Sequence, residues 1–507
     1  MSQIEFTTSN IFKNKYVALI ATLVAAFAAG MAGLLDIDPV ILLGAVAALY
    51  LVMLLFRWPD FTIVFVTFII YTNTATILTK FHGFPRPLAY VLPLLLLIPF
   101  IWQIFVKRQG IKVNFVFLLM VVYFSIMVIG SAFSRDVNQS IPNVINFLAE
   151  GLGLYFLLIN TIRTPKLLNQ VVWSLLIAGG LIGGLSLYQQ VTGTFDDPYW
   201  GFAQVTGRGF TAEETLQGEV RQARVSGPIG EKNRYAQVML MLVPLGLFRA
   251  WGESSRKLRL AAIFLTGLIF IGASLAFSRG AMVGFLMLIV IMTFMRYLKL
   301  RQVLVILLGI VLLVVAFPQN NVRFSSLGAL FSSEEEGGLQ TADGAIRGRA
   351  TEMLVALYVF LDHPVFGVGP GMLGLEMAEY SREIAIRNIT ATREAHSLYL
   401  GEAAEVGAMG LVTLMVIFFY TLQRLAKART YWLEINNLNM ANLCTGFSLA
   451  VISYMTTAVF LHMSYLRYLW LIMALAAIAA EFRAADVTED REVPVSKETM
   501  VPVESPA

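Results

Sequence analysis

The sequence predicts an all-α polytopic membrane protein with about fourteen transmembrane helices and two large loops on one side. Of its 507 residues, 57% are hydrophobic and only 14% are charged, whereas soluble domains carry about a quarter charged residues. Apolar runs of about twenty residues, each long enough to cross a bilayer, recur along the whole chain. Most of the remaining polar length falls in two segments, 189–232 and 318–395. Lipid is therefore the expected solvent for most of this chain.

The predicted spans follow one another through short connections. The first begins just after Lys13 and Lys15, and it has full spanning length rather than the short apolar region and cleavage site of a signal peptide. The predicted spans are 16–35, 39–56, 58–78, 89–106, 113–133, 143–160, 168–188, 233–250, 260–277, 281–298, 302–317, 396–423, 438–461 and 465–481.

Lysine and arginine predict the orientation of these spans. With the N-terminus in the cytoplasm, the short connections rich in Lys and Arg all fall inside, for example 107–112, 249–259 and 296–301. This agrees with the positive-inside rule, from which long loops are exempt. Both large loops are therefore expected outside, on the periplasmic or extracellular face of a bacterial cytoplasmic membrane, and both termini inside.

The predicted organisation has six consecutive parts. The second large loop is expected to hold an amphipathic helix at 345–361, since charges at its start precede an apolar stripe. The last segment is charged and aperiodic, as is typical of disorder. The parts are transmembrane helices 1–7 in 1–188, the first large loop in 189–232, helices 8–11 in 233–317, the second large loop in 318–395, helices 12–14 in 396–483 and a disordered cytoplasmic tail in 484–507.

Composition also limits the possible chemistry. One cysteine, Cys444, excludes an intramolecular disulfide and a cysteine-based metal cluster. The four histidines, at 82, 363, 396 and 462, are scattered without metal-ligand spacing, so no metal and no cofactor are expected. A net charge of +4 is no nucleic-acid signature.

The end of the first large loop has the pattern of an anion-binding corner. Arg221 and Arg224 lie three residues apart, before the irregular sequence Gly-Pro-Ile-Gly at 227–230. Asn233 is predicted to cap the following helix. Irregular backbone beside a helix N-terminus receives anions, and the planar fork of arginine grips phosphate in two places. The alternative is an ordinary loop-to-helix transition with solvated arginines.

A very short outer turn carries the sequence Ser278-Arg279-Gly280 between two apolar spans. Gly280 is expected to allow the reversal, and Ser278 to cap the next helix. Arg279 would then lie at the bilayer boundary, where an unpaired charge is costly. Either an anionic ligand lies there, or the arginine extends its charge to the interface.

The second large loop ends at a histidine. The sequence Arg393-Glu-Ala-His396-Ser-Leu-Tyr399 leads into a spanning helix, and a histidine, with an unperturbed pKa of roughly 6.5, suits a general base near neutral pH. A structural histidine is the alternative. Upstream, the Gly/Pro run 365–371 predicts a backbone that approaches a ligand closely.

Three carboxylates fall inside predicted spans. Glu402 and Glu405 are about one helical turn apart, and Glu150 lies in another span. Intramembrane carboxylates indicate either a proton path or hydrogen bonds between packed helices.

The order of these motifs resembles the O-antigen ligase and polymerase superfamily of bacterial envelope glycosyltransferases, over roughly 220–415. The motifs in order are Arg-x-x-Gly followed by Asn, Ser-Arg-Gly, a helix led by Gly-Arg, Pro-x-x-Gly-x-Gly-Pro-Gly, and Ala-His-Ser-x-Tyr-Leu followed by Glu-x-Gly.

The resemblance implies a GT-C-like helical fold and a metal-independent, inverting transfer. A glycan on undecaprenyl diphosphate would be joined to an acceptor hydroxyl at the outer face of the membrane. Arg224 and Arg279 would hold the diphosphate, and His396 would activate or position the hydroxyl. The further residues implied to bind substrate are Arg221, Arg349, Arg393, Asn233, Ser278 and Tyr399.

Several functions remain open at this point. The acidic loop and the number of spans favour a polymerase of polysaccharide repeat units over a ligase acting on lipid A core or on protein. The implied partners are the lipid-linked glycan donor, a glycan or lipid acceptor, the bilayer and other polysaccharide export proteins. A proton-coupled transporter would instead need broken helices and Glu150, Glu402 and Glu405 in one cavity. A membrane scaffold would need no convergence of arginines and a histidine.

Overall fold

The computed structural model describes residues 50, 53–85, 92–206, 223–305, 308–309, 344–384, 393–461 and 466–483. Over these residues the chain is mostly helical, and the sheet it contains has two strands. The helices in chain order are α1 (Pro59–Tyr71), α2 (Thr74–Phe81), α3 (Leu97–Ile101), α4 (Phe115–Ala132), α5 (Val137–Asn146), α6 (Leu154–Thr161), α7 (Pro165–Thr192), α8 (Lys232–Gly252), α9 (Arg256–Leu275), α10 (Arg279–Phe294), α11 (Gly344–Asp362), α12 (Leu373–Ile384), α13 (Leu398–Glu434), α14 (Leu438–Thr457) and α15 (Leu466–Glu481).

Two stretches of π-helix interrupt regular α-helix. Trp102–Val106 continues α3, and Phe147–Gly153 joins α5 to α6, so that one continuous helical segment runs over Val137–Thr161. The strands are β1 (Gln204–Thr206) and β2 (Arg224–Gly227), which pair antiparallel.

The membrane character of the chain is confirmed. Six helical segments of the described part are long and apolar enough to cross a bilayer, or seven if α1 and α2, which are bent by 56°, form one span. They are Phe115–Ala132, Val137–Thr161, Pro165–Thr192, Arg256–Leu275, Leu398–Glu434 and Leu438–Phe460. The predicted number of about fourteen spans is not confirmed by the described part of the chain. The predicted span at 16–35, and most of those at 39–56 and 302–317, fall outside the described residues.

Small residues bring the helices of the core close together. Gly183 of α7 lies against α9, where an added Cβ would be 2.2 Å from the Leu268 carbonyl oxygen. Gly246 of α8 likewise faces Thr266 of α9. Since lipid provides no hydrophobic drive between helices, close backbone approach through glycine is the usual source of their packing energy.

Helix α13 is broken inside the membrane segment, at Gly407. This residue has φ 67° and ψ −172°, a conformation essentially reserved for glycine. The break frees backbone groups of α13, and the segment 364–369 binds them. The hydrogen bonds are Val368 N–H to Ala404 O (2.9 Å), Gly369 N–H to Glu405 O (2.9 Å), Ala408 N–H to Pro364 O (2.8 Å) and Met409 N–H to Val365 O (3.4 Å). The segment predicted as the span 396–423 is therefore not one continuous helix, because non-helical backbone is tolerated where protein satisfies it.

The Gly/Pro run approaches protein rather than open space. A Cβ on Gly367 would lie 2.4 Å from the Glu405 carbonyl carbon, and one on Gly369 would lie 2.6 Å from Ser134 Cβ. A Cβ on Gly371 would lie 2.1 Å from the Asn143 amide nitrogen. The run packs against α4, α5 and the break in α13, and the expectation of a ligand-contacting backbone is corrected accordingly.

Candidate functional site

The end of the first large loop folds as a strand. Thr206 of β1 lies opposite Arg224 of β2, and all four residues of β2 are buried. The all-α prediction is wrong for this segment. A buried loop must pair its backbone groups, and strand pairing does so next to the ends of the helices.

Arg224 holds this strand against the turn between α9 and α10. Its side chain is 7% exposed. Its Nε donates to the carbonyl oxygen of Ala276 (2.9 Å), and its Nη2 donates to that of Phe277 (2.8 Å). Nη2 also lies 3.4 Å from the Asn233 side-chain oxygen. The structure thus brings Arg224 and Asn233 directly to the Ser-Arg-Gly turn.

Ser278 caps α10, as the sequence predicts. Its hydroxyl accepts from the backbone N–H of Ala281 at 3.4 Å. Arg279 is then the first residue of α10 and is half-buried. A guanidinium at a helix N-terminus adds its charge to the positive end of the helix dipole, which is the end that favours anions.

The reversal in this turn does not depend on Gly280, contrary to expectation. Gly280 lies inside α10, and the residue with positive φ is Phe277, at 48°. The missing side chain of Gly280 has another consequence. An added Cβ would lie 3.2 Å from Phe460 Cβ, so glycine allows α10 to approach the segment that follows α14.

The cap of α8 is Glu231 and not Asn233, which corrects a second expectation. The Glu231 carboxylate accepts from the backbone N–H groups of Asn233 (3.1 Å) and Arg234 (2.7 Å). A carboxylate satisfies two of these N–H groups at once and complements the helix dipole. The Asn233 amide donates to Glu231 (3.1 Å) and so fixes the oxygen that receives Arg224.

An ion pair between Arg234 and Glu394 joins the start of α8 to the end of the second large loop. Arg234 is in the first turn of α8, and Glu394 stands two residues before His396. Sequence reasoning missed this pair. The partners are 160 residues apart, and no local pattern relates them.

His396 lies at the entrance to α13, between the buried residues Ala395 and Ser397. Its φ is 47°, and its side chain is 36% exposed. Its Nε2 lies 3.5 Å from Oε2 of Glu352, a residue of α11 that is 1% exposed. The other oxygen of Glu352 accepts from Arg393 at 3.0 Å. Sequence reasoning also missed Glu352, although a single carboxylate among the apolar residues of α11 was a signal.

The electrostatic surroundings of His396 come from three parts of the chain. Burial lowers its pKa below the usual 6.5. Among its charged neighbours Glu352 opposes this shift, Arg349 adds to it, and Glu394 and Glu231 oppose it. The start of α8, helix α11 and the end of the second loop therefore meet around this imidazole.

The remaining predicted residues have different positions. Tyr399 donates to the backbone oxygen of Met455 in α14 (2.7 Å) and thereby contributes to helix packing. Arg349 is half-buried on α11, one turn before Glu352. Arg393 is joined to His396 through Glu352. Arg221 lies outside the described residues.

The intramembrane carboxylates each have a different partner. Glu402 accepts a hydrogen bond from Tyr123 of α4, and Glu405 accepts one from the backbone N–H of Gly371 at 2.8 Å. Glu150 pairs with Arg467 of α15 at 3.4 Å. Within the described ranges, no group of three or more His, Cys, Asp or Glu side chains is placed to hold a metal ion.

Comparison with known families identifies part of this arrangement. Residues 261–415 match the family described as O-antigen ligase. The match begins in α9 and includes Arg279, α11, His396 and the break at Gly407, whereas Arg224 precedes it. No curated protein gives a significant match to the chain. The resemblance inferred from the motifs is confirmed over this region: residues 261–415 of the chain are similar to the O-antigen ligase family.

Proposed function

We propose that this protein transfers a glycan from undecaprenyl diphosphate to an acceptor hydroxyl at the outer face of the bacterial cytoplasmic membrane. Members of the family are glycosyltransferase-like enzymes. One observation carries the proposal: three segments distant in sequence bring arginines and a half-buried histidine to one end of the helices. The GT-C-like architecture and the outward orientation of both large loops are part of the proposal.

Arg279 is assigned to the donor diphosphate. The leaving group carries negative charge that grows as the glycosidic bond breaks. A guanidinium at the start of α10 lies where the helix dipole favours an anion. Removing one fixed donor to a developing charge typically costs on the order of 100-fold in rate. Fixed cations of this kind supply the charge stabilisation that a metal ion provides elsewhere, which supports a metal-independent reaction.

Arg224 is assigned a supporting role in the same step. Two of its nitrogens donate to the carbonyls of Ala276 and Phe277, so it sets the position of the turn that presents Arg279. This differs from the implied direct grip on the diphosphate. The prediction for Arg224→Lys follows from the difference: a lysine cannot reproduce two bonds in a fixed fork, and the turn should loosen.

His396 is assigned to the acceptor. Its lowered pKa keeps the imidazole neutral near pH 7, as a general base requires. The hydroxyl oxygen attacks the anomeric carbon from the face opposite the diphosphate, and the hydroxyl proton passes to the imidazole. The bond to the diphosphate breaks with its electron pair, and undecaprenyl diphosphate leaves. Attack from the opposite face inverts the anomeric configuration.

A polymerase of repeat units is favoured over a ligase acting on lipid A core or protein. A strain lacking the gene tests this choice by its lipid-linked intermediates. Accumulation of single lipid-linked repeat units supports a polymerase, and accumulation of long lipid-linked polymer supports a ligase. Unchanged amounts of both intermediates and of finished polysaccharide would overturn the proposed function.

A proton-coupled transporter is the second candidate, and the break of α13 at Gly407 favours it. The carboxylates do not, because Glu150 pairs with Arg467 while Glu402 and Glu405 have partners elsewhere. Glycan transfer by purified protein in detergent, where no proton gradient exists, would support the enzyme. Uptake of glycan into proteoliposomes that is driven by a proton gradient, with no glycan transfer to an acceptor, would support the transporter.

A further inference from the structure

Glu352 is a buried carboxylate for which the proposed reaction has so far no use. It is 1% exposed, and a buried charge is costly unless it is paired. Arg393 satisfies one of its oxygens, at 3.0 Å. Its Oε2 makes no hydrogen bond within the described part of the chain and lies 3.5 Å from His396 Nε2.

The position of Glu352 is fixed by the packing of α11. Val355, Ala356 and Val359 on the same helix are fully buried, and they pack with residues of α12 and α13 in one small apolar cluster. The helix therefore cannot turn to carry the carboxylate into solvent without exposing this cluster to water. A carboxylate held in this way is suited to orient a neighbouring group.

The geometry points to Glu352 as the positioning residue for His396: its Oε2 faces Nε2 and favours the tautomer that carries the proton there, which leaves Nδ1 to receive the proton of the acceptor hydroxyl. A neutral imidazole has one N–H and one acceptor nitrogen, and the partner of the N–H decides which tautomer is present. The assignment of the hydroxyl as proton donor rests on the proposed function. The assignment of the tautomer does not.

The proton balance of this step is simple. The O–H bond of the acceptor breaks as the new glycosidic bond forms, and the proton binds Nδ1. His396 becomes an imidazolium with N–H groups on both nitrogens, and the Nε2–H faces a carboxylate that compensates the new charge. Without that carboxylate the imidazolium would form beside Arg349 in a half-buried site, which is unfavourable.

The alternative is that Glu352 only anchors Arg393. Both interpretations predict that loss of Glu352 harms the protein, so loss of activity cannot separate them. The titration of His396 does separate them. The charged groups around the ring are Arg349 and Glu352 on α11, Arg393 and Glu394 in the loop, and Glu231 at the start of α8.

The first experiment follows the histidines by NMR in purified protein, labelled with ¹⁵N-histidine and placed in lipid nanodiscs. The chain has four histidines, and His396→Gln assigns the signal. Glu352→Gln keeps an oxygen in place but removes the charge. Glu379→Gln is the matched control, since Glu379 lies on α12, is 66% exposed and pairs with Arg135 at 3.7 Å.

The wild type and Glu379→Gln should show the Nε2–H tautomer with the same titration midpoint. Glu352→Gln should titrate at lower pH, because the carboxylate favours the imidazolium and its removal disfavours it. Glu352→Ala should in addition lose the single tautomer. An unchanged His396 midpoint and tautomer in Glu352→Gln would overturn the inference, whatever happens to activity.

The second experiment measures polymer formation against pH in membranes that contain the endogenous lipid-linked donor. Glu352→Gln should lower the rate roughly tenfold or more, as expected for an impaired general base. It should also shift the acidic side of the pH–rate profile to lower pH. Glu352→Asp should restore part of the rate. Folding is checked through Cys444, whose thiol is buried and reacts only when the protein opens.

The two experiments also separate this inference from the proposed function. If the midpoint moves in Glu352→Gln while wild-type membranes form no glycan product from the lipid-linked donor, the proposed function fails and the pairing stands. If His396→Gln is inactive while the midpoint stays unchanged in Glu352→Gln, the proposed function stands and the positioning role fails.

Discussion

The break in α13 provides the sharpest test of the fold. Gly407→Ala places a methyl group where the backbone of the Gly/Pro run already lies. The added Cβ would be 2.2 Å from the Val365 carbonyl oxygen and 2.3 Å from its carbon. Neither atom is a flexible side chain, so either helix or loop must move. We expect the segment 364–369 to separate from α13.

The expected loss in the free energy of unfolding of Gly407→Ala is the sum of two contributions. A residue with a side chain in this backbone conformation is strained by about 1–3 kcal/mol. Four backbone hydrogen bonds join the break to the loop, and each contributes about 1 kcal/mol. With strain and only two of these bonds lost, the free energy of unfolding falls by about 3–5 kcal/mol.

The assay uses the single cysteine of the chain. Cys444 is 0% exposed, so a thiol-reactive fluorophore reports unfolding during heating or denaturant titration in detergent. Gly267→Ala is the matched control, because nothing lies within 4 Å of the added Cβ and the residue is inside α9. Alanine there should stabilise the helix by up to about 1 kcal/mol. A Gly407→Ala midpoint equal to or above that of the wild type would refute the described break.

Three further predictions concern the site. Arg279→Ala and His396→Ala should leave expression and membrane insertion intact but abolish glycan product in cells; a variant with normal polymer length and amount would contradict the assigned roles. Glu231→Ala should lower the free energy of unfolding by about 1 kcal/mol through loss of the α8 cap. The same thiol assay measures this, and an unchanged free energy of unfolding would contradict the cap. Since burial lowers the pKa of His396 and a base works when neutral, the rate of transfer should fall to half of its maximum only at a pH below the ordinary histidine value of roughly 6.5; a half-maximal rate at a higher pH would argue against His396 as the base.

Features set by local sequence were predictable. The apolar runs gave the membrane helices, and the predicted amphipathic helix at 345–361 corresponds to α11 (Gly344–Asp362). Ser278 caps α10 because a short hydroxyl before an apolar helix suffices for the N–H groups nearby. Each of these signals lies within a few residues of the feature that it predicts.

Features that depend on distant residues were not predictable. Gly407 lies inside the predicted span 396–423, and the break there exists because the Gly/Pro run binds the freed backbone. Arg234 meets Glu394 only after both large loops have folded. At the start of α8, Asn233 lies inside the first turn, where its side chain receives Arg224, and Glu231 caps the helix. The sequence around each of these residues does not show the contacts that decide its role.

The dependence of the candidate site on distant segments limits how the matched region can be dissected. The family match covers 261–415, yet its Gly/Pro run packs against α4 and α5. Arg224 binds the turn between α9 and α10, and Arg234 pairs with the end of the second large loop. An excised 261–415 fragment would lack these supports and should not assemble the site. Chimeras between relatives should accordingly exchange 115–146 and 223–252 together with the matched region, and a swap of the matched region alone should yield an inactive hybrid.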